Sequence, residues 1–128
     1  FRRLLTAVFG RPFEVDNPFA WLTKTQVVER IAANGGADLI RHSRSCTRVR
    51  DRTTMYPHCG QCSQCIDRRF AVLAAGQADA DPPEAYEVDL FTGSRPRGPD
   101  REMALAYVRS ASAIDKIDDL AFFVRTPR

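Results

Sequence analysis

The feature that most constrains this chain is its set of four cysteines, three of which recur at intervals of three residues. Cys59, Cys62 and Cys65 form this run, and Cys46 lies upstream across a polar loop. Thiols at such spacing can face one point on a tight turn, and a fourth completes the tetrahedral set of soft ligands that zinc prefers. The sequence therefore predicts one structural zinc ion bound by all four cysteines. With four thiolate ligands the ion has no open position, so we do not expect it to activate water.

Three other interpretations of the cysteines are open from the sequence. A redox pair of the C-x-x-C type would leave two thiols unexplained. An iron–sulfur cluster would also accept four cysteines. Cysteines can also be buried as small apolar residues, which does not require that they cluster. Zinc is preferred because thiolates held on a tight turn suit its tetrahedral, soft-ligand preference, and because a reducing compartment favours metal over disulfide. We expect Gly60 to let the loop turn, and a helix starting near Ser63 to direct its positive end at the thiolates.

The length and the apolar pattern bound the class of protein. With 128 residues, of which 44% are hydrophobic, the chain can bury one core. No apolar run approaches the roughly 18 residues of a membrane span, and the first residues lack the apolar stretch of a secretory signal. We therefore expect a cytoplasmic protein with no membrane partner. The sequence does not begin with Met and opens in a helical period, so we also expect the rear part of a longer protein.

Apolar periodicity predicts four helices. The first ends at Gly10, and the second starts at a Thr23 to Gln26 capping box and stops at Asn34-Gly35-Gly36. The third runs from the cysteine run to Gly76, and the last, capped by Asp100, ends before Pro127.

Short extended segments are predicted at residues 13–15, 38–40 and 86–88, so the fold class is an α/β fragment that is mostly helical. A Pro/Gly/Arg stretch at 93–99 predicts a linker between a zinc-bearing part at 1–92 and a helical extension at 100–128. The apolar face of the last helix fits packing on its own core or on a neighbouring subunit. A homo-oligomer is therefore one arrangement that the sequence allows.

A basic loop gives the chain a second functional interpretation. Five arginines fall within twelve residues that hold a single acid, Asp51: Arg41, Arg44, Arg48, Arg50 and Arg52. Guanidinium groups bind phosphate oxygens in pairs, so a zinc-stabilised module could bind nucleic acid through the Arg41 to Arg52 loop. A solvated surface loop explains the same pattern. Against the module, Tyr56 is the only aromatic residue in the polar loop from Thr47 to His58, so platforms for base stacking are scarce.

Several short motifs in a fixed order resemble a known family. They are Pro18-Phe19, the Leu22-Thr23-Lys24-Thr25-Gln26-Val27-Val28 run, Ser45-Cys46, Cys59-Gly60-Gln61-Cys62-Ser63-Gln64-Cys65 with Arg68, and Gly76 followed by Asp81-Pro82. Together they resemble the C-terminal half of the 7-cyano-7-deazaguanine synthase family, over about residues 13 to 90. Each piece alone is weak, but their joint order is hard to produce by chance.

The resemblance implies a fold and an activity. That family belongs to the PP-loop ATP pyrophosphatase superfamily, with an adenine-nucleotide α-hydrolase-like fold and a parallel sheet. Its members adenylylate a small-molecule carboxylate with ATP and Mg²⁺, then use ammonia to build an amide and a nitrile in queuosine precursor synthesis. The resemblance implies that the four cysteines hold zinc beside the active site. It also suggests that Lys24 and Arg68 contact substrate or nucleotide, although an exposed lysine and a packed arginine explain them as well.

The departures from the family pattern are equally informative. The family's ATP-binding Ser-Gly-Gly-x-Asp-Ser motif does not occur in these residues. We therefore expect this chain alone not to hydrolyse ATP. We also expect its partner to be a missing N-terminal ATP-binding portion. The segment at 34–38 echoes the motif but follows a helix, so it is interpreted as a helix stop. The long gap from Cys46 to Cys59 and the residues after Gly93 indicate a divergent member, with a different carboxylate as its substrate.

Overall fold

The computed structural model describes residues 1–116, so the predicted end of the last helix near Pro127 lies outside the described residues. The described part is mostly helical, as predicted. Its elements are helices α1 (Arg2–Phe9), α2 (Lys24–Ala33), α3 (Ala37–His42), α4 (Ser63–Ala74) and α5 (Pro99–Ile114), with single 3₁₀ turns at Val49–Asp51, Ala78–Ala80 and Pro83–Ala85.

The predicted capping box at the start of α2 is confirmed. The backbone N–H of Gln26 donates to the hydroxyl of Thr23, and the Gln26 side chain accepts the backbone N–H of Thr23 at 2.8 Å. Two backbone donors at the helix start are thereby satisfied. The predicted stops are also confirmed, because Gly10 and Gly35 follow α1 and α2 with φ angles of 63° and 75°.

The predicted strands are wrong for residues 1–116, where no ladder forms. Residues 38–40 lie in α3, whose Asp38 in the first turn and Arg41 in the last both complement the helix dipole. Residues 13–15 form no β-bridge with any other segment in the part of the chain that is described. Of residues 86–88, Tyr86 makes one isolated parallel bridge to His58.

The start of α5 also differs from the prediction. Its N-cap is Gly98 and Pro99 is its first residue, a position where the missing N–H would have no helical partner anyway. Asp100 is therefore not the cap. It lies in the first turn and forms an ion pair with Arg48 at 2.5 Å.

Helix α4 contributes side chains to two buried clusters. One is apolar and lies where α2, α3 and α4 meet. Its buried members are Ile40, Val72 and Ala80, against which Val28, Ile31 and Ala32 pack. The other consists of the four cysteines and Tyr86, with Ala85 and Leu90 packed against it. Among residues 1–116, no helix is long and apolar enough to cross a membrane.

Candidate metal centre

The four cysteines meet at one point. Their sulfur atoms all lie within 4.8 Å of one another, with 3.8 Å between Cys59 and Cys65 and 3.4 Å between Cys62 and Cys65. A tetrahedral ion with Zn–S bonds of about 2.3 Å places its sulfurs about 3.8 Å apart. The donor set and its spacing therefore fit a zinc ion. All four side chains are buried, and Cys59 and Cys65 are fully inaccessible to solvent.

The backbone of the loop is arranged around the Cys59 sulfur. The N–H groups of Gln61 and Cys62 both donate to this atom at 3.4 Å. Gly60 has a φ of 73°, and a Cβ on it would lie 1.7 Å from the carbonyl oxygen of Val88. Glycine is thus required here both by the turn and by the close approach of the neighbouring chain. Gly60 therefore has the role that the sequence predicted for it.

Helix α4 brings the last two thiols into place. Cys62 is its N-cap residue and Cys65 lies in its first turn. The positive end of the helix dipole is therefore adjacent to sulfurs that become anionic when they bind a cation. The predicted helix start near Ser63 is confirmed.

The electrostatic environment differs among the thiols. Burial raises the pKa of Cys59 and of Cys65. Burial acts in the same direction on Cys62, but hydrogen bonds with the hydroxyl and backbone of Thr47 and with the backbone and thiol of Cys65 together outweigh it and lower the pKa of Cys62 to about 6. Of these three thiols, Cys62 is therefore the one that ionises most readily at neutral pH. Cys59 and Cys65 require the charge of a bound cation, which deprotonates its thiol ligands.

A scan against family models gives the chain an assignment. The model described as "Queuosine biosynthesis protein QueC" matches residues 2–76, which is more than half of the chain and includes all four cysteines. The chain belongs to this family. QueC proteins are 7-cyano-7-deazaguanine synthases of the PP-loop superfamily, as the sequence motifs indicated. No curated protein and no solved structure matches the chain significantly.

Arg68 lies within the QueC-matched span, and its guanidinium is hydrogen-bonded within the fold. Its guanidinium donates to Asp81 at 2.8 Å, to the carbonyl and hydroxyl of Ser43 at 3.1 and 2.7 Å, and to the carbonyl of Ile40 at 2.6 Å. Its side chain is 7% exposed. These contacts give Arg68 a structural function, and contact with substrate or nucleotide stays a prediction.

Lys24, the other residue suggested by the likeness to QueC proteins, lies on the surface. Its ammonium group donates to Gln64 at 3.1 Å and to Asp67 at 3.2 Å, and its side chain is 53% exposed. Both acceptors are on α4, one to two residues from metal-site cysteines. Lys24 is thus attached to the N-terminal half of α4, the helix that carries Cys65, and retains access to solvent. A role in ligand binding stays a prediction.

Most arginines of the basic loop make contacts within the described part of the chain. Arg41 donates to the carbonyl of Asp79, Arg48 pairs with Asp100, and Arg52 pairs with Glu87. Three of the five arginines therefore have partners inside the fold. The structure gives no support to the interpretation of this loop as a nucleic-acid-binding surface.

Sequence reasoning missed several residues that support the metal centre. Asp81 was noted only as part of a motif, yet it is 1% exposed and accepts hydrogen bonds from Arg68 and, at 2.7 Å, from the hydroxyl of Tyr86. Tyr86 packs on His58 with ring centroids 5.0 Å apart. The signal available was His58 beside the first cysteine of the run, but nothing in the sequence identifies which later residues pack against it.

Proposed function

We propose that this chain is the zinc-bearing C-terminal portion of a 7-cyano-7-deazaguanine synthase-like enzyme that amidates a carboxylate at the expense of ATP. The observation that carries the proposal is the four-sulfur cluster inside the QueC-matched span. Cys46, Cys59, Cys62 and Cys65 hold the zinc ion, which ties the loop after α3 to the start of α4.

The ATP loop belongs to a portion outside this chain, because the Ser-Gly-Gly-x-Asp-Ser motif is absent from these residues. In the whole protein that portion supplies the site for ATP and Mg²⁺, while residues 1–92 supply the zinc-bearing part. Lys24 contributes a contact to the carboxylate substrate or to the nucleotide. Its solvent-exposed ammonium beside the first turn of α4 supports this assignment.

Metal content is the first test. We expect one zinc per chain by elemental mass spectrometry, and loss of the thermal transition after a strong chelator, because structural zinc contributes about 10 to 16 kcal/mol in small peptides. Cys62→Ser should lower metal content and stability together. Ser63→Ala, at the next position, is the matched control and should change neither by much. A Cys62→Ser variant that folds normally without zinc would contradict a structural site.

The reaction is tested on the whole protein. We expect pyrophosphate release from ATP that depends on a carboxylate, and a nitrile product only when ammonia is also present. The first substrate to try is the 7-carboxylate precursor of 7-cyano-7-deazaguanine, followed by other aromatic carboxylates. If none of these acids causes pyrophosphate release by a protein that holds its zinc, the synthase assignment is removed and the metal site is left intact.

A further inference from the structure

Arg95 makes a contact that its position in the sequence did not suggest. It lies in the 93–99 segment predicted as a linker and beyond residues 2–76 that match the family. Its Nη2 donates to the carbonyl oxygen of Gly60 at 2.9 Å, and the side chain is half-buried. The segment is therefore attached to the cysteine loop through a cationic side chain.

The carbonyl that Arg95 binds belongs to the peptide group whose N–H faces a sulfur. That peptide joins Gly60 to Gln61, and the N–H of Gln61 donates to the sulfur of Cys59 at 3.4 Å. A guanidinium on the oxygen side of a peptide polarises it and makes its N–H a stronger donor, because linked hydrogen bonds strengthen one another. The charge of Arg95 is thus transmitted to the Cys59 sulfur through one peptide group.

The net charge of the metal centre explains why the contact between Arg95 and Gly60 would stabilise it. Four thiolates around one divalent cation carry a net charge of about two negative units, so neighbouring cations stabilise the site. Arg48 and Arg52 lie near the thiols but are shared with Asp100 and Glu87. Arg95 forms an ion pair with no carboxylate of residues 1–116, and its Nε is buried there without an acceptor. Its positive charge is therefore available to the metal centre.

We propose that Arg95 is a positioning residue of the metal centre, which strengthens the Gln61 N–H to Cys59 hydrogen bond and so stabilises the metal-bound thiolate. This inference rests on the proposed metal site. It assigns to the segment after the family-matched span a function in metal binding. A residue that only fastened this segment would stabilise the fold without altering the sulfur.

The test uses the whole protein with Co²⁺ in place of zinc, and compares Arg95→Ala, Arg95→Gln and Arg95→Lys with Arg97→Ala, an exposed arginine of the same segment. Sulfur-to-cobalt charge transfer reports the electron density on the thiolates, and competition with a chelator reports zinc affinity. Arg95→Ala should lose about tenfold in zinc affinity, within the range for residues that hydrogen-bond to metal ligands. Its charge-transfer band should move to longer wavelength. The zinc affinity of Arg95→Lys should stay within about threefold of that of the wild type. Arg97→Ala should match the wild type in zinc affinity and in spectrum.

The outcomes separate this inference from the proposal it rests on. A wild-type protein that binds neither cobalt nor zinc would overturn both. If the wild type binds metal and Arg95→Ala equals Arg97→Ala in affinity and in spectrum, the role of Arg95 is overturned while the metal site stands. If Arg95→Ala does not fold, the comparison of Arg95→Gln with Arg95→Lys decides. A shifted band and weaker binding in the glutamine variant support the role of the charge, and wild-type behaviour in that variant overturns it.

Discussion

The carboxylate of Asp81 accepts the Nε–H of Arg68 at 2.8 Å, and the two side chains are 1% and 7% exposed. Arg69, the next residue of α4, donates to the backbone carbonyl of Asp81, and the hydroxyl of Tyr86 donates to its other carboxylate oxygen at 2.7 Å. The chain after α4 is thereby attached to the helix that carries Cys65. The ion network and the metal centre thus share one helix.

Asp81→Ala should lower the free energy of unfolding by about 3 to 5 kcal/mol, because it leaves a buried guanidinium without its counter-charge. Urea denaturation of the metal-loaded protein measures this. Glu84→Ala is the control, since Glu84 is an exposed acid in the following turn and its loss should cost little. A loss below about 1 kcal/mol for Asp81→Ala would show that the network adds little to stability.

Gly60→Ala should both destabilise the protein and weaken metal binding. A Cβ there meets the Val88 carbonyl oxygen at 1.7 Å, so the loop or its neighbour must move. Gly76→Ala provides a matched control, because Gly76 has a similar φ of 67° but open space around it. The control should cost only the backbone term of about 1 to 2 kcal/mol. Equal losses of stability and zinc affinity in the two variants would contradict a steric requirement at Gly60.

Lys24→Met should change the free energy of unfolding by less than about 1 kcal/mol, because its ion pair with Asp67 is exposed to solvent. In the whole protein, kcat/KM for the carboxylate or for ATP should fall about tenfold or more if the ammonium binds either ligand, as expected for a lost charged hydrogen bond. Lys116→Met, at an exposed position beyond α5, is the control. Unchanged kinetics in Lys24→Met would remove Lys24 from the ligand site.

Tyr107→Phe tests whether α5 belongs to the same folding unit as α4. The Tyr107 hydroxyl donates to Asp67 on α4 at 2.7 Å. Loss of this hydrogen bond should lower the free energy of unfolding by about 1 kcal/mol and leave a single cooperative transition. A separate early transition in thermal melts would instead show that α5 unfolds independently of α4.

Local signals made part of this fold predictable. The capping box of α2 lies within four consecutive residues, and the start of α4 follows directly from the cysteine run, so each could be read from its own segment. The four cysteines could be grouped into one candidate metal site for the same reason, since three of the four thiols are close in sequence. Residues 38–40 were assigned wrongly because a short apolar run has no period that distinguishes a strand from a helix. The ends of α3 carried the better signal, with Asp38 in its first turn and Arg41 in its last.

The contacts that could not be predicted are those between distant segments. Arg95 and Gly60 are 35 residues apart, as are Arg52 and Glu87, and Arg48 and Asp100 are 52 apart. Charge alone does not select such pairs, because many acids and carbonyls are available to each arginine in an unfolded chain. Only the packing of the helices fixes which of them meet.

The four hydrogen bonds of Arg68 have an evolutionary consequence. Its planar fork bonds to three residues at once, Ile40 and Ser43 at the end of α3 and Asp81 beyond α4, whereas a lysine offers a single nitrogen and glutamine carries no charge. Neither lysine nor glutamine at position 68 preserves these bonds, so purifying selection should keep arginine at this position in homologues that also retain Asp81. The fold places no such constraint on Lys24. If homologues keep lysine at this position, the reason would have to be a ligand.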